Sequence, residues 1–189
     1  MKQSFYLQLV NPAHPALMIP EDTELLPAHP DYPDILLETK AAKALQALLT
    51  RLDAFDKIVP VSGFRTMQEQ RMIWKQSMKD NGYLFTRQYV ALPGCSEHQT
   101  GLAIDLAANI PDIDFICPDF PSSGIYGRFR LLAASYGFIL RYPEGKEHIT
   151  KISEEPWHFR YVGVPYAEEI TRRGIVLEEY LSLDERIVS

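Results

Sequence analysis

The stretch Ser96-Glu97-His98-Gln99-Thr100-Gly101-Leu102-Ala103-Ile104-Asp105 is answered further along the chain by Glu155-Pro156-Trp157-His158. Together they offer two imidazoles and a carboxylate, His98, His158 and Asp105, with a spare carboxylate, Glu155, close before His158. Three such donors and one position left over suit a hydrolytic zinc centre; a structural zinc site fills all four positions, usually with thiolates. These residue types predict a zinc hydrolase with one Zn²⁺ per chain.

The spacing constrains how the donors can meet. In one continuous helix His98 and Asp105 would share a face but lie about 10.5 Å apart along the axis, too far for one ion. Gly101 offers a bend, with His98 before it and Asp105 on a strand after it. On that strand Ile104 and Leu106 face one way and Ala103, Asp105 and Ala107 the other, the alanines leaving room beside the carboxylate. A lone His and Asp are ordinarily solvated or locally bonded; the second cluster is what weighs against that reading. Pro156 biases Glu155 away from helix and stiffens the approach to His158. Cys95-x-x-His98 also has zinc-like spacing but lacks a matching second Cys/His pair. Cys117 reads as a small apolar residue. His14 and His29 lie in Pro-rich stretches as structural or solvated residues, His148 sits in a polar loop, and Trp157 reads as packing support for His158.

The elements that must position these groups read as one α+β domain spanning residues 1–189, with a small, mostly antiparallel central sheet flanked by helices. Phe5, Leu7 and Leu9 alternate as an edge strand. Residues 11–33 hold six prolines and predict an extended wrapping segment. Ala41, Leu45, Leu48 and Leu52 repeat at helical spacing within a helix over 35–55, which completes an N-terminal portion ahead of a catalytic core over 56–180. Residues 57–61 form a strand ended by Ser62-Gly63, and Thr66-Met67-Gln68-Glu69 is a capping box opening a helix that ends near Asn81-Gly82. Further strands are expected over 103–107, 138–141 and 157–161. A helix capped by Ser122 or Ser123 runs to Tyr136 with Gly137 as its stop, and Pro165 opens a short helix closed by Gly174.

Nineteen Lys and Arg against 25 Asp and Glu give a net charge of −6, and no short window clusters the basic residues. Nucleic acid and anionic membrane surfaces are therefore not expected partners. The apolar run of Met1–Pro12 is broken by Gln8 and has no small-residue cleavage site, so it is not a signal peptide, and no later window approaches a membrane span. A cytoplasmic location with reduced Cys95 and Cys117 is expected.

Ser62-Gly63-Phe64-Arg65, Ser96-x-His98-x-x-Gly101-x-x-x-Asp105 and Glu155-Pro156-Trp157-His158 resemble the zinc D,D-peptidases of the VanY and VanX type, most of all the compact VanXY form. Residues 91–95, 136–143 and 158–163 are similar to the same family, and the resemblance spans roughly 55–180. It implies the fold shared by D,D-peptidases and Hedgehog-type domains, with His98, Asp105 and His158 as zinc ligands. Glu155 would be the catalytic base and Arg65 the residue facing the substrate carbonyl. Ser96 and Gln70 fall at family positions suited to hydrogen-bonding the substrate's terminal groups. Ser62 stands where some relatives have Asp, so its neutral side chain implies weaker pairing with a dipeptide's ammonium and a tilt toward carboxypeptidase action, unless an acid approaches from a loop such as 110–121. The implied substrates are D-Ala-D-Ala and D-Ala-terminated pentapeptide precursors, and the implied setting is glycopeptide resistance. Two other functions share the fold: a cell-wall endolysin or L,D-peptidase, and a non-catalytic zinc-binding module. Glu155 and Arg65 argue against the last, since neither is needed to hold zinc.

Overall fold

The computed structural model describes residues 4–187, so Met1–Gln3 and the last two residues of the expected domain lie outside the described residues. An antiparallel hairpin, β1 (Leu25–His29) and β2 (Tyr32–Glu38), precedes helix α1 (Thr39–Leu52). The main sheet is antiparallel throughout, in the order β3 (Ile58–Ser62), β4 (Ala103–Ala108), β6 (Glu155–Tyr161), β5 (Phe138–Tyr142). Helices α2 (Met67–Asp80) and α3 (Gly82–Tyr89) fall between β3 and β4. Helix α4 (Gly124–Ala133) lies between β4 and β5, α5 (Glu147–Thr150) between β5 and β6, and α6 (Val164–Arg173) with α7 (Leu177–Ile187) closes the chain. The expected α+β class with a small antiparallel sheet is what the chain adopts.

One face of the sheet is the main core. Ala41, Leu45, Leu48 and Leu49 of α1 pack with Ile58, Ile104, Leu106, Phe138 and Phe159, and Phe129 of α4 closes the layer. Burial of this apolar face, at roughly 1.5–3 kcal/mol for each large side chain, leaves the opposite side of β4 and β6 free to carry polar groups. Helix α1 starts later than its hydrophobic period suggests. Residues 35–38 belong to β2, and the Glu38 carboxylate caps the helix by accepting from Lys40 N (2.9 Å) and Ala41 N (3.2 Å).

The N-terminus departs from expectation. Phe5–Leu7 is a 3₁₀ turn, not an edge strand. The turn is closed by its own backbone, Leu7 N donating to Ser4 O and Gln8 N to Phe5 O, and the Gln8 amide ties it to the chain beyond: Oε1 accepts from Leu17 N and Met18 N while Nε2 donates to Met18 O. The stretch expected to be extended holds another 3₁₀ turn, Asp22–Glu24, and most of the hairpin; Pro27 sits beside a register shift in an edge ladder, where a missing N–H is tolerated. The capping box at Thr66 forms as expected, with Thr66 Oγ1 accepting from Glu69 N and the Glu69 carboxylate from Thr66 N. The helix expected to reach Tyr136 is α-helical only to Ala133, and Ser123 caps it without a side-chain bond. Helices α3, α5 and α7 were not anticipated, and α5 takes in His148, which was expected in a polar loop. Among the described residues no helix is long and apolar enough to cross a membrane.

Candidate metal centre and active site

Gly101 does what the spacing required. Its φ of +67° ends the 3₁₀ turn Glu97–Thr100 and sends the chain into β4, so His98 and Asp105 converge. Across the sheet Asp105 is the register partner of His158 on β6. The donor atoms of His98, Asp105 and His158 lie within 4.8 Å of one another, and all three residues are buried. His98 Nε2 is 3.1 Å from Asp105 Oδ2, and His158 Nδ1 is 2.8 Å from Asp105 Oδ1. Ile104 and Leu106 enter the core as expected, whereas Ala103 and Ala107 are buried without lining the cavity.

Each imidazole is oriented from behind. His98 Nδ1 is 2.8 Å from Gly63 O, which fixes that nitrogen as the N–H and leaves Nε2 as the donor to an ion. His158 turns Nδ1 toward Asp105 and Nε2 toward Glu97. Asp105 feels opposing effects: burial favours its neutral form, but the two imidazoles outweigh this and hold it well below the usual carboxylate range. His158 is buried, which works against its charged form, yet Asp105 beside it pushes its pKa up to about 10. A carboxylate already ionised, two oriented imidazoles and one open side form a donor set that fits zinc. Cys95 takes no part in the cluster, and both cysteines are free thiols. Cys117 packs against the core, buried His29 bonds Phe55 O, and His148 is exposed away from the cavity.

Glu155 reaches the same site through an irregularity. Residues three apart on a regular strand point to opposite faces. The β5–β6 register shifts between Leu140 and Tyr142, Tyr142 then pairs with Glu155, and Glu155 Oε2 comes within 3.6 Å of His158 Nδ1. Burial pushes the Glu155 carboxyl up to about 8; His158 opposes the rise, while Asp105 and Glu97 add to it. In the metal-free site this carboxyl therefore holds its proton more tightly than an ordinary glutamate.

Arg65 Nη2 is 3.9 Å from Asp105 Oδ2. Burial lowers its pKa and Asp105 opposes that, but a guanidinium stays charged. Its fork is held on both sides: Nη1 donates to Gln70 Oε1 at 2.8 Å and Nη2 donates to Ser62 Oγ. This corrects the expectation for Gln70. It is fully buried, its Nε2 donates to Ala91 O at 2.7 Å, and neither end of the amide is free for substrate. Ser62 lies in an adjoining cleft with Asp34, Glu69 and Phe115, its hydroxyl committed to Arg65. Ser96 lines the cavity, and its side chain makes no capping bond to the turn that follows it.

The cavity, about 540 Å³ with its open mouth, is walled by Ile73, Val90, Phe115, Ile116, Tyr142 and Trp157 around the polar cluster. The loop over 110–121 brings Phe115 and Ile116 to it, not an acid; Asp114 spends its carboxylate on Ile116 N and Cys117 N. Glu97 and Tyr142 line the cavity too and were not anticipated. The available signal was an arginine inside each of two strands, Arg141 in Phe138–Tyr142 and Arg160 in Glu155–Tyr161. A buried arginine there demands an acid close by.

A buried His₂Asp cluster with a further buried carboxyl and a braced arginine, carried on an antiparallel α+β sheet, defines a metallohydrolase type of centre. A family model described as VanY, D-alanyl-D-alanine carboxypeptidase, matches residues 34–164, and the chain belongs to that family. It is 47% identical over 175 residues to the bifunctional D-Ala-D-Ala dipeptidase and D-Ala-D-Ala carboxypeptidase VanXYC of Enterococcus gallinarum, covering 92% of each chain. It superposes with a TM-score of 0.91 and 49% identity on the vancomycin resistance D,D-dipeptidase VanXYg, solved with a D-Ala-D-Ala phosphinate analogue, covering 96% of this chain and 73% of that one. A variant of the D,D-pentapeptidase VanY from a VanB-type resistance cassette, solved with Zn(II), gives 0.74 and 33%, covering 94% and 99%.

Proposed function

We propose that this chain is a zinc-dependent D,D-peptidase that removes terminal D-Ala from peptides ending in D-Ala-D-Ala, as a D,D-carboxypeptidase and as a dipeptidase on free D-Ala-D-Ala. The observation that carries the reading is the convergence of Glu155 and Arg65 on the His98–Asp105–His158 cluster inside one cavity. A module that merely stored metal would need neither.

Zn(II), one per chain, would be held by His98, Asp105 and His158 and would polarise both the scissile carbonyl and the attacking water. Glu155 takes the water's proton as the carbon–oxygen bond forms, then returns it to the departing D-Ala amine. Arg65, braced by Ser62 and Gln70, faces the oxyanion that develops on the carbonyl. Ser96 is assigned to a terminal group of the substrate. With no acid arriving from the 110–121 loop, the blocked peptide is favoured over the free dipeptide. The reading also includes residues 1–189 acting as one catalytic domain, a cytoplasmic setting in keeping with two free thiols, and removal of precursors that glycopeptide antibiotics recognise.

Purified, zinc-loaded protein should release D-Ala from the nucleotide-linked pentapeptide and from D-Ala-D-Ala, faster from the former, and a chelator should abolish both. No D-Ala from either substrate would overturn the reading.

A further inference from the structure

Behind His158 lies a buried charge cluster that the proposed reaction does not use. Glu97 is almost wholly inaccessible and stands between two fully buried arginines. Its Oε1 accepts from Arg141 Nε at 2.8 Å, and Arg160 Nη1 lies 2.9 Å from the same oxygen, as an ion pair and not an aligned hydrogen bond. Arg141 turns its other two nitrogens to Glu178 on α7, donating to both carboxylate oxygens at 2.9 and 2.6 Å. Arg160 donates to Gln8 O and Tyr6 O, tying the N-terminal segment to the same point. Glu97 is thus fixed from two sides through one oxygen.

The other oxygen has no such partner. Glu97 Oε2 and His158 Nε2 are both buried and both lack a hydrogen bond, and they face each other at 3.5 Å. Unpaired buried polar atoms are costly, and Glu97 Oε2 is an acceptor that faces the donor position of His158 Nε2. The opposite ring nitrogen, Nδ1, points into the donor cluster. A histidine that gives one nitrogen to a metal normally donates its other N–H to a carboxylate or carbonyl, which sets tautomer and ring orientation. His98 already has that support from Gly63 O.

We infer that Glu97 is a positioning residue of the metal centre: it accepts from His158 Nε2–H, so that Nδ1 is the nitrogen presented to the ion, while Arg141 and Arg160 hold Glu97 ionised and in place. The inference rests on the metal centre proposed above. The cluster is close to charge-neutral, with Glu97 and Glu178 set against Arg141 and Arg160.

The test is zinc affinity, read by competition with a chromophoric chelator for wild type, Glu97→Gln, Glu97→Ala and Glu178→Gln, with thermal melting of each metal-free protein. Loss of an orienting carboxylate should weaken Zn(II) binding by about 10- to 100-fold. Glu178→Gln, which disturbs the arginines but spares the Glu97–His158 pair, should lower the melting temperature and leave affinity near wild type. Folded Glu97→Gln binding zinc like wild type overturns the inference, as does an equal loss in Glu178→Gln. Nitrogen-15 histidine spectra of zinc-loaded wild type decide it without any variant: His158 should show a protonated Nε2 and a metal-bound Nδ1, and the reverse tautomer refutes it. Wild type that binds no zinc removes the metal centre itself, an outcome distinct from either.

Discussion

Gln70→Met separates two roles for a residue whose place in the family motif suggests substrate binding but whose contacts point to Arg65. The amide makes two hydrogen bonds, accepting from Arg65 Nη1 at 2.8 Å and donating to Ala91 O at 2.7 Å. Methionine has similar volume and flexibility, so the fully buried position is not emptied. The bond lost from Arg65 is one to a charged group, worth about 1.5–3 kcal/mol. If that bond serves to aim the guanidinium at a charge that appears only in the transition state, the loss falls on kcat. At about 1.36 kcal/mol per decade it corresponds to roughly a 10- to 100-fold decrease, with KM moving by less than about threefold. Initial rates of D-Ala release across a substrate range give both constants, with zinc content and melting temperature as controls. A KM raised tenfold or more with kcat intact would refute the reasoning and return Gln70 to the substrate. Unchanged constants would show that Ser62 alone is enough to hold Arg65.

Glu155→Gln should keep zinc at wild-type stoichiometry and lower kcat by about 10²–10⁴, measured by metal analysis beside single-turnover rates; retained turnover would remove Glu155 from the chemistry. Gly63→Ala places a Cβ 2.3 Å from Leu36 O, so β2 or the Gly63 carbonyl behind His98 must move. We expect a stability loss of about 1–3 kcal/mol in denaturant melts together with weakened zinc binding, and a variant that binds zinc normally would show that the carbonyl is dispensable. In the metal-free protein His158 is raised from 6.5 to about 10 and Glu155 from 4.5 to about 8. Groups raised on folding stabilise below their unfolded pKa and lose that contribution as pH rises through the folded one, so Glu155 should lower the melting temperature of metal-free protein from about pH 4.5 to 8 and His158 from about pH 6.5 to 10. Saturating Zn(II) replaces the Nδ1 proton and should flatten the profile; a metal-free melting temperature that rises over these windows contradicts the assignment.

The chemistry was more legible than the scaffold. His98, Asp105 and His158 are residue types with few other reasons to recur in such motifs, and the axial distance in a helix forced Gly101 to bend the chain before any coordinate was known. The capping box at Thr66 was local and therefore readable. What escaped was non-local. Glu97 occupies an unremarked place beside His98 because its partners, Arg141 and Arg160, come from β5 and β6 far along the chain. Gln70 lies on the buried side of a helix with a weak apolar stripe, so nothing in its neighbourhood announced a link to Arg65. The alternation of Phe5, Leu7 and Leu9 was genuine but belonged to a segment whose Tyr6 and Gln8 carbonyls accept from Arg160 instead of from a neighbouring strand.

The pairing of Asp105 with His158 across β4 and β6 has a consequence for how the molecule is assembled. A slip of one residue between these two strands would rotate a whole strand's side chains to the other face, driving a carboxylate or an imidazole into the layer formed by Ile104 and Phe159. No slipped ladder presents both donors to one ion. An ion held by His98, Asp105 and His158 would bind only the aligned ladder and would stabilise it over slipped ones.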